Sequence, residues 1–285
     1  MKDENFKLLK SIIGEDANVV STLVGGMMNE AYVVESKQGK FVFYISTKQA
    51  NEMVDRKIEK ETQNIAFELG ITSENIYFDL ENGIKINRFI DGNSINHTSD
   101  IDYKKVADLL YKFHSSKKIA SQDYHPLDRL LAFKKEAEQF VDKFDCEFYD
   151  LFNLIISNKE FLESQKLTLA HNDAQRSNIV RDVSNNYFLI DYEFAMNNDP
   201  IYDIGTFGND NVNDGLTLLR EYQKLTYIEN AEKRYALWRI DISLQWYLVA
   251  LIKHYRGEGA VHGFNFLDVA HHFLTNALQA RKILK

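Results

Sequence analysis

Three short oxygen-bearing side chains stand at the ends of apolar runs. Leu169-Ala170-His171-Asn172-Asp173 leads to Asn178-Ile179-Val180, and Tyr187-Phe188-Leu189-Ile190 ends on Asp191-Tyr192-Glu193. Two such groups can hold a hard cation while a third carboxylate stays free to take a proton. Asn178 follows Asp173 by five residues. That is the spacing of a phosphoryl-transfer loop, in which an Asp precedes a metal-binding Asn and a second metal-binding Asp follows on a later turn.

The residue types fit that chemistry. A transferred phosphoryl group is densely negative, and Mg2+ bridging the phosphates lowers the cost of bringing it to a nucleophile. Mg2+ keeps several waters, so two protein oxygens suffice, one neutral from Asn178 and one charged from Asp191. Asp173 then accepts the proton of an acceptor hydroxyl, and His171 braces the loop. Asp and Asn also form turns, so a polar hairpin between two buried strands is the competing reading. The strands on both sides of the loop favour the catalytic one.

Those strands and the rest of the chain must position this set. With 285 residues and 45% hydrophobic content, one large domain or two lobes can bury a core. A net charge of −8 argues against a nucleic-acid surface and is compatible with a cationic substrate. The single cysteine, Cys146, excludes an internal disulfide and fits a reducing, cytoplasmic setting. The polar start Met1-Lys2-Asp3-Glu4-Asn5 is unlike a signal peptide, and no apolar run is long enough for a membrane span. His254, His262, His271 and His272 do not make a zinc site, because neighbours on a helix point apart and no cysteine or acid cluster stands at ligand spacing.

Apolar periodicity predicts a helix over 4–13, strands over 19–24, 31–35 and 40–46, a helix over 50–69, and strands over 75–79 and 83–90. Beyond residue 100 helices are expected at 100–117, 126–143, 147–158, 213–228, 230–255 and 265–284, interrupted by the loop and strands of 165–194. The class is α+β and bilobal: a small antiparallel sheet lobe with one helix over 1–91, and a mostly helical catalytic lobe over 92–285, hinged near 88–94.

Leu23-Val24-Gly25-Gly26-Met27-Met28-Asn29, Asp55-Arg56-Lys57-Ile58-Glu59, Ile90-Asp91-Gly92, the Asp173 loop, Leu189-Ile190-Asp191-Tyr192-Glu193 and Asn198-Asp199-Pro200-Ile201-Tyr202-Asp203 together resemble the choline/ethanolamine kinases, the bacterial LicA type above all. These belong with the aminoglycoside phosphotransferases in the protein-kinase-like fold. The resemblance implies an ATP- and Mg2+-dependent kinase acting on choline or a similar amino alcohol, as monomer or homodimer. It implies Asp173 and His171 as catalytic residues and Asn178 and Asp191 as metal ligands. Gly25, Gly26, Met28 and Asn29 would cover the nucleotide phosphates, where glycine lets backbone approach closely. Lys48, Glu59, Arg88 and Ile90 would complete the ATP site, and Glu193, Trp246 and Tyr247 would bind the acceptor.

Two positions depart from the family pattern. A strand cation that pairs with Glu59 is expected where Tyr44 stands, and tyrosine carries no positive charge. Lys48, four residues on, is the substitute the sequence offers. A quaternary ammonium is held by aromatic faces, for which the family uses two tryptophans; Trp246 matches the first, Val249 the second, and Tyr247 or Trp238 is available as another ring. The alternatives are an aminoglycoside or other small-alcohol phosphotransferase and, because of Tyr44, a nucleotide-binding scaffold without turnover.

Overall fold

The computed structural model describes residues 2–23, 29–259 and 265–285. The chain divides into two compact units: residues 1–99, 120–122 and 177–195 form one, and 100–119, 123–176 and 196–285 the other. The boundary therefore differs from the expected cut at 91/92. Residues 92–94 and 177–195 belong with the first unit because β6 (Gly92–Ser94), β8 (Ile179–Asp182) and β9 (Tyr187–Leu189) form one antiparallel sheet there.

The first unit is built on a five-stranded antiparallel sheet in the order β1-β2-β3-β5-β4, from β1 (Asn18–Leu23), β2 (Asn29–Ser36), β3 (Gly39–Ser46), β4 (Asn75–Phe78) and β5 (Lys85–Arg88). Alternation along β3 sorts its side chains by face. Phe41 and Phe43 join Val34, Ile84 and Ile86 under Leu9 and Ile13 of α1 (Asp3–Ile13), forming the core on one side. Tyr44 pairs across the strands with Lys85 and Val42 with Asn87, so these four share the other face.

That second face is met by α3 (Arg56–Glu68), whose Gln63 donates from Nε2 to Asn87 Oδ1 at 3.0 Å. The single helix expected over 50–69 is two helices, α2 (Lys48–Met53) and α3, separated at Val54-Asp55. Asp55 causes the break: its carboxylate accepts from Lys57 N and Ile58 N at 3.0 and 3.3 Å, so it caps a new helix instead of continuing the old one.

The second unit is largely helical: α4 (Tyr103–His114), α5 (Pro126–Ala137), α6 (Cys146–Ser157), α7 (Lys159–Glu163), α8 (Pro200–Phe207), α9 (Val212–Gln223), α10 (Ala231–Tyr255) and α11 (Phe266–Arg281), with a two-stranded pair of β7 (Thr168–Ala170) and β10 (Met196–Asn198). The central helix α10 is buried along nearly its whole circumference by α5, α6, α8 and α11. Helix α8 is absent from the sequence expectation, although Asp199 at its cap and Pro200 in its first turn are ordinary start signals. Among the described residues no helix is long and apolar enough to cross a membrane.

Gly92 shows how closely β6 approaches β8: a Cβ there would lie 2.2 Å from Arg181 O. Backbone cannot swing aside as a side chain can, so Gly92→Ala should destabilise the first unit by roughly 1–3 kcal/mol. An unchanged urea midpoint would contradict the packing described.

Candidate functional site

Each unit carries its own group of candidate residues. In the first, Glu59 on α3 lies between two cations. Arg56, one turn earlier, donates from Nη1 to Glu59 Oε2 and, at 3.0 Å, to Glu193 Oε1, while Lys85 Nζ donates to Glu59 Oε1. The Arg56, Glu59, Lys85 and Glu193 side chains are at most 4% exposed. Burial pulls the Lys85 ammonium down, but Glu59, Asp191 and Glu193 outweigh it and hold it above the usual lysine range.

Carboxylate oxygens of Glu59, Asp191 and Glu193 lie within 4.8 Å of one another, a spacing a metal ion also satisfies. Lys85 Nζ is already the cation among them, bonded to Glu59 and 3.7 and 4.0 Å from Asp191 and Glu193. Asp191 is the most exposed of the three carboxylates. Its residue adopts φ +69°, in the left-handed region that non-glycine residues rarely enter. Its Oδ1 is buried and accepts no hydrogen bond, although the side chain as a whole is 36% exposed. Burial, then the charge of Glu193, push its carboxyl up to about 7 against the opposing pull of Lys85. Ile190 N donates to Asn178 O at 3.0 Å, which ties the backbone of Asn178 to the turn carrying Asp191. A carboxylate and a neutral side-chain amide are oxygen donors of the kind Mg2+ takes.

In the second unit the residues after β7 are fixed by Asp203 of α8. Asp203 accepts from His171 N at 2.8 Å and from Asn172 N at 2.6 Å, and its Oδ2 is 2.9 Å from His114 Nε2. His114 in turn meets Tyr222 OH at 2.8 Å through Nδ1. Asn172 holds φ +63°, with its side-chain oxygen accepting from Asn198 Nδ2 at 2.8 Å. These bonds constrain the backbone entering Asp173, which stays half-buried and accepts from Gln175 Nε2 at 3.2 Å.

The remaining expected residues are distributed as follows. Gly25, Gly26 and Met28 lie outside the described residues. Asn29 donates from Nδ2 to Glu193 Oε1 at 2.8 Å and accepts from Ser46 Oγ at 3.0 Å, which joins it to the charged group. Glu193, expected at the acceptor, spends its carboxylate on Arg56 and Asn29. Lys48 does not join the group: its side chain is 93% exposed at the start of α2 and lies 3.9 Å from Glu52, because the strand ends at Ser46 and the helix turns the lysine away. Arg88 is exposed and pairs with Glu74 at 3.2 Å, and Ile90 is half-buried beyond the end of β5. Trp246 stacks on Phe273 with centroids 5.7 Å apart. Tyr247 is buried, stacks on Phe148 and donates from its hydroxyl to Asp145 at 2.9 Å, so it works as packing between α10 and α6. Trp238 is likewise committed, its Nε1 donating to Asp199 at 2.8 Å.

Lys85 is the residue that sequence reasoning missed. Its signal was a lysine between two isoleucines, Ile84-Lys85-Ile86, at the start of β5.

The family model for choline/ethanolamine kinase matches residues 20–217. The chain belongs to that family. It is therefore a phosphotransferase with an alcohol group as acceptor, a small-molecule kinase. The LicA protein of Haemophilus influenzae is 25% identical over 87% of this chain and 75% of its own length. The crystal structure of choline kinase LicA from Streptococcus pneumoniae superposes with a TM-score of 0.74 at 22% identity, covering 99% of each chain. An aminoglycoside phosphotransferase solved with ADP and hygromycin B superposes with a TM-score of 0.73 at 12% identity, again over 99% of each. The fold is thus the protein-kinase-like one.

Asp203→Ala would leave two buried backbone N–H groups without an acceptor, at about 1–3 kcal/mol each. A melting temperature lowered by several degrees is expected in a thermal scan. An unchanged melting temperature would refute the bracing role.

Proposed function

We propose that this protein transfers the γ-phosphoryl group of ATP, with Mg2+, to the hydroxyl of choline or a similar amino alcohol. The observation that carries the reading is Asp191: a carboxylate with one oxygen unbonded and buried, held on a left-handed residue, next to a lysine that is itself paired to Glu59. Asp191 and Asn178 would hold Mg2+, which when bound neutralises charge on the phosphates during transfer. The negative surroundings that push Asp191 toward neutrality in the free protein are those a divalent cation relieves.

Asp173 acts as the base. The backbone entering its loop is fixed by Asp203, which accepts from His171 N and Asn172 N. Asp173 takes the proton of the acceptor hydroxyl as the oxygen attacks phosphorus.

A cationic acceptor is supported by an aromatic ring. Burial holds the Tyr124 hydroxyl above the usual tyrosine range, with Asp173 and Asp241 adding to it against the pull of Arg129. The face of Tyr124 is already covered by the Arg129 guanidinium at 5.2 Å. Half-buried Trp246 is the ring we assign to the acceptor's ammonium, with Phe273 supporting its other face. Val249, half-buried one turn on, leaves that cage with one ring fewer than the family pattern, which leaves room for drift toward other amino alcohols.

Asp191→Ala should cut turnover by orders of magnitude and flatten its Mg2+ dependence while the protein stays folded; parental kinetics in that variant would sink the metal assignment. A cation over an indole gains about 2 kcal/mol, roughly thirtyfold in affinity. Trp246→Ala should therefore raise KM for choline by that order and leave KM for ATP nearly fixed. Initial rates with choline, ethanolamine and an aminoglycoside decide the acceptor. Choline should be used best, and equal use of choline and ethanolamine with no Trp246 effect removes choline from the reading.

A further inference from the structure

Nucleotide polyphosphate needs a positive charge beside the metal, and β3 does not supply one at Tyr44. Lys40, at the start of β3, is turned to solvent and lies 3.7 Å from Glu35. Lys48 is 93% exposed. Two buried cations flank the carboxylates, and they differ in what they have left to give. Arg56 is saturated: Nη1 serves Glu59 and Glu193, Nη2 serves Ser46 and Asn51, and Nε serves Asn51. Lys85 carries three N–H donors and makes one hydrogen bond, to Glu59; Asp191 and Glu193 stand beyond bonding distance at 3.7 and 4.0 Å.

Lys85 and Tyr44 are direct cross-strand partners, and Lys85 Nζ lies 5.1 Å from the centre of the Tyr44 ring. The ammonium therefore occupies the space over β3 that a lysine at position 44 would reach, but it comes from the neighbouring strand. We propose that Lys85 is the nucleotide phosphate-binding cation of this kinase, the positive charge having moved from β3 to β5 while Glu59 keeps its partner. This rests on the reading of the Asp191 group as the ATP site. It also removes the ground for a scaffold without turnover, since Tyr44 no longer marks a missing charge.

The test is a Mg2+-supplemented titration with ATP and with adenosine, which lacks phosphates, of the parent, Lys85→Met and the exchange variant Tyr44→Lys/Lys85→Met. Lys85→Met should lose at least about tenfold in ATP affinity, the scale of one charge-assisted contact, with adenosine affinity unchanged. The exchange variant should recover ATP affinity to within a few-fold of the parent. A folded Lys85→Met that keeps the parental ratio of ATP to adenosine affinity overturns the proposal. Removing a cation from among three carboxylates can also unfold the protein, so a second readout uses the parent itself. The Lys85 Nζ resonance of 15N-lysine-labelled protein, assigned with Lys85→Arg, should shift with ATP and not with adenosine; no shift at saturating ATP overturns the proposal. A parent that binds ATP through Lys85 yet phosphorylates no amino alcohol would refute the acceptor reading and leave this contact standing.

Discussion

The first unit depends on keeping two cations, Arg56 and Lys85, and two carboxylates, Glu59 and Glu193, ionised in one buried group. Arg56, Glu59, Lys85 and Glu193 have almost no contact with water. Buried charges persist only when paired and hydrogen-bonded, and removing one partner of such a group costs about 3–5 kcal/mol. That requirement explains why a helix cap, a strand register and a turn converge here. Asp55 starts α3 so that Arg56 and Glu59 fall on one face. Pairing of Tyr44 with Lys85 sets the height of the ammonium. The turn after β9 brings Asp191 and Glu193 to it. Carboxylates outnumber cations, and the excess appears at Asp191, whose carboxyl is pushed to about 7. That excess negative charge is what the proposed Mg2+ at Asp191 would relieve.

The second unit solves a different problem. The proposed base, Asp173, stands on a loop, and loops are the least constrained part of a chain. Asp203 supplies the constraint with two backbone acceptor bonds and a contact to His114, itself anchored on Tyr222. Asp199, four residues earlier, caps α8 and is clamped by Arg234 and Trp238. Asp199 and Asp203 thus serve structure, and the role of base in the proposed reaction falls to Asp173.

Much of this was legible in the sequence. Apolar alternation marked the strands of the sheet, and the five-residue spacing of Asp173 and Asn178 marked the loop. The aromatic rings were less legible, because Tyr247 and Trp238 at helical spacing look the same whether they line a pocket or pack a core, and here they pack. The cation was misplaced for a physical reason: periodicity along one strand says nothing about which residue of another strand stands opposite. Lys48 shares the parity of Tyr44, but β3 ends at Ser46 before the register reaches it. Lys85 is distant in sequence and adjacent in space, and strand pairing alone reveals it. The unit boundary was missed likewise, since the pairing of β6 with β8 is a long-range contact.

The central claim is that these two groups of residues serve one reaction, phosphoryl transfer from ATP to an amino alcohol. It is tested most directly by following the phosphorus. In 31P spectra of the protein with ATP, Mg2+ and choline, the γ-phosphate signal should be replaced by that of a phosphate monoester together with ADP, and Asp173→Asn should abolish the conversion. ATP that stays intact, or that yields inorganic phosphate and no ester with choline or any other amino alcohol, would contradict the account.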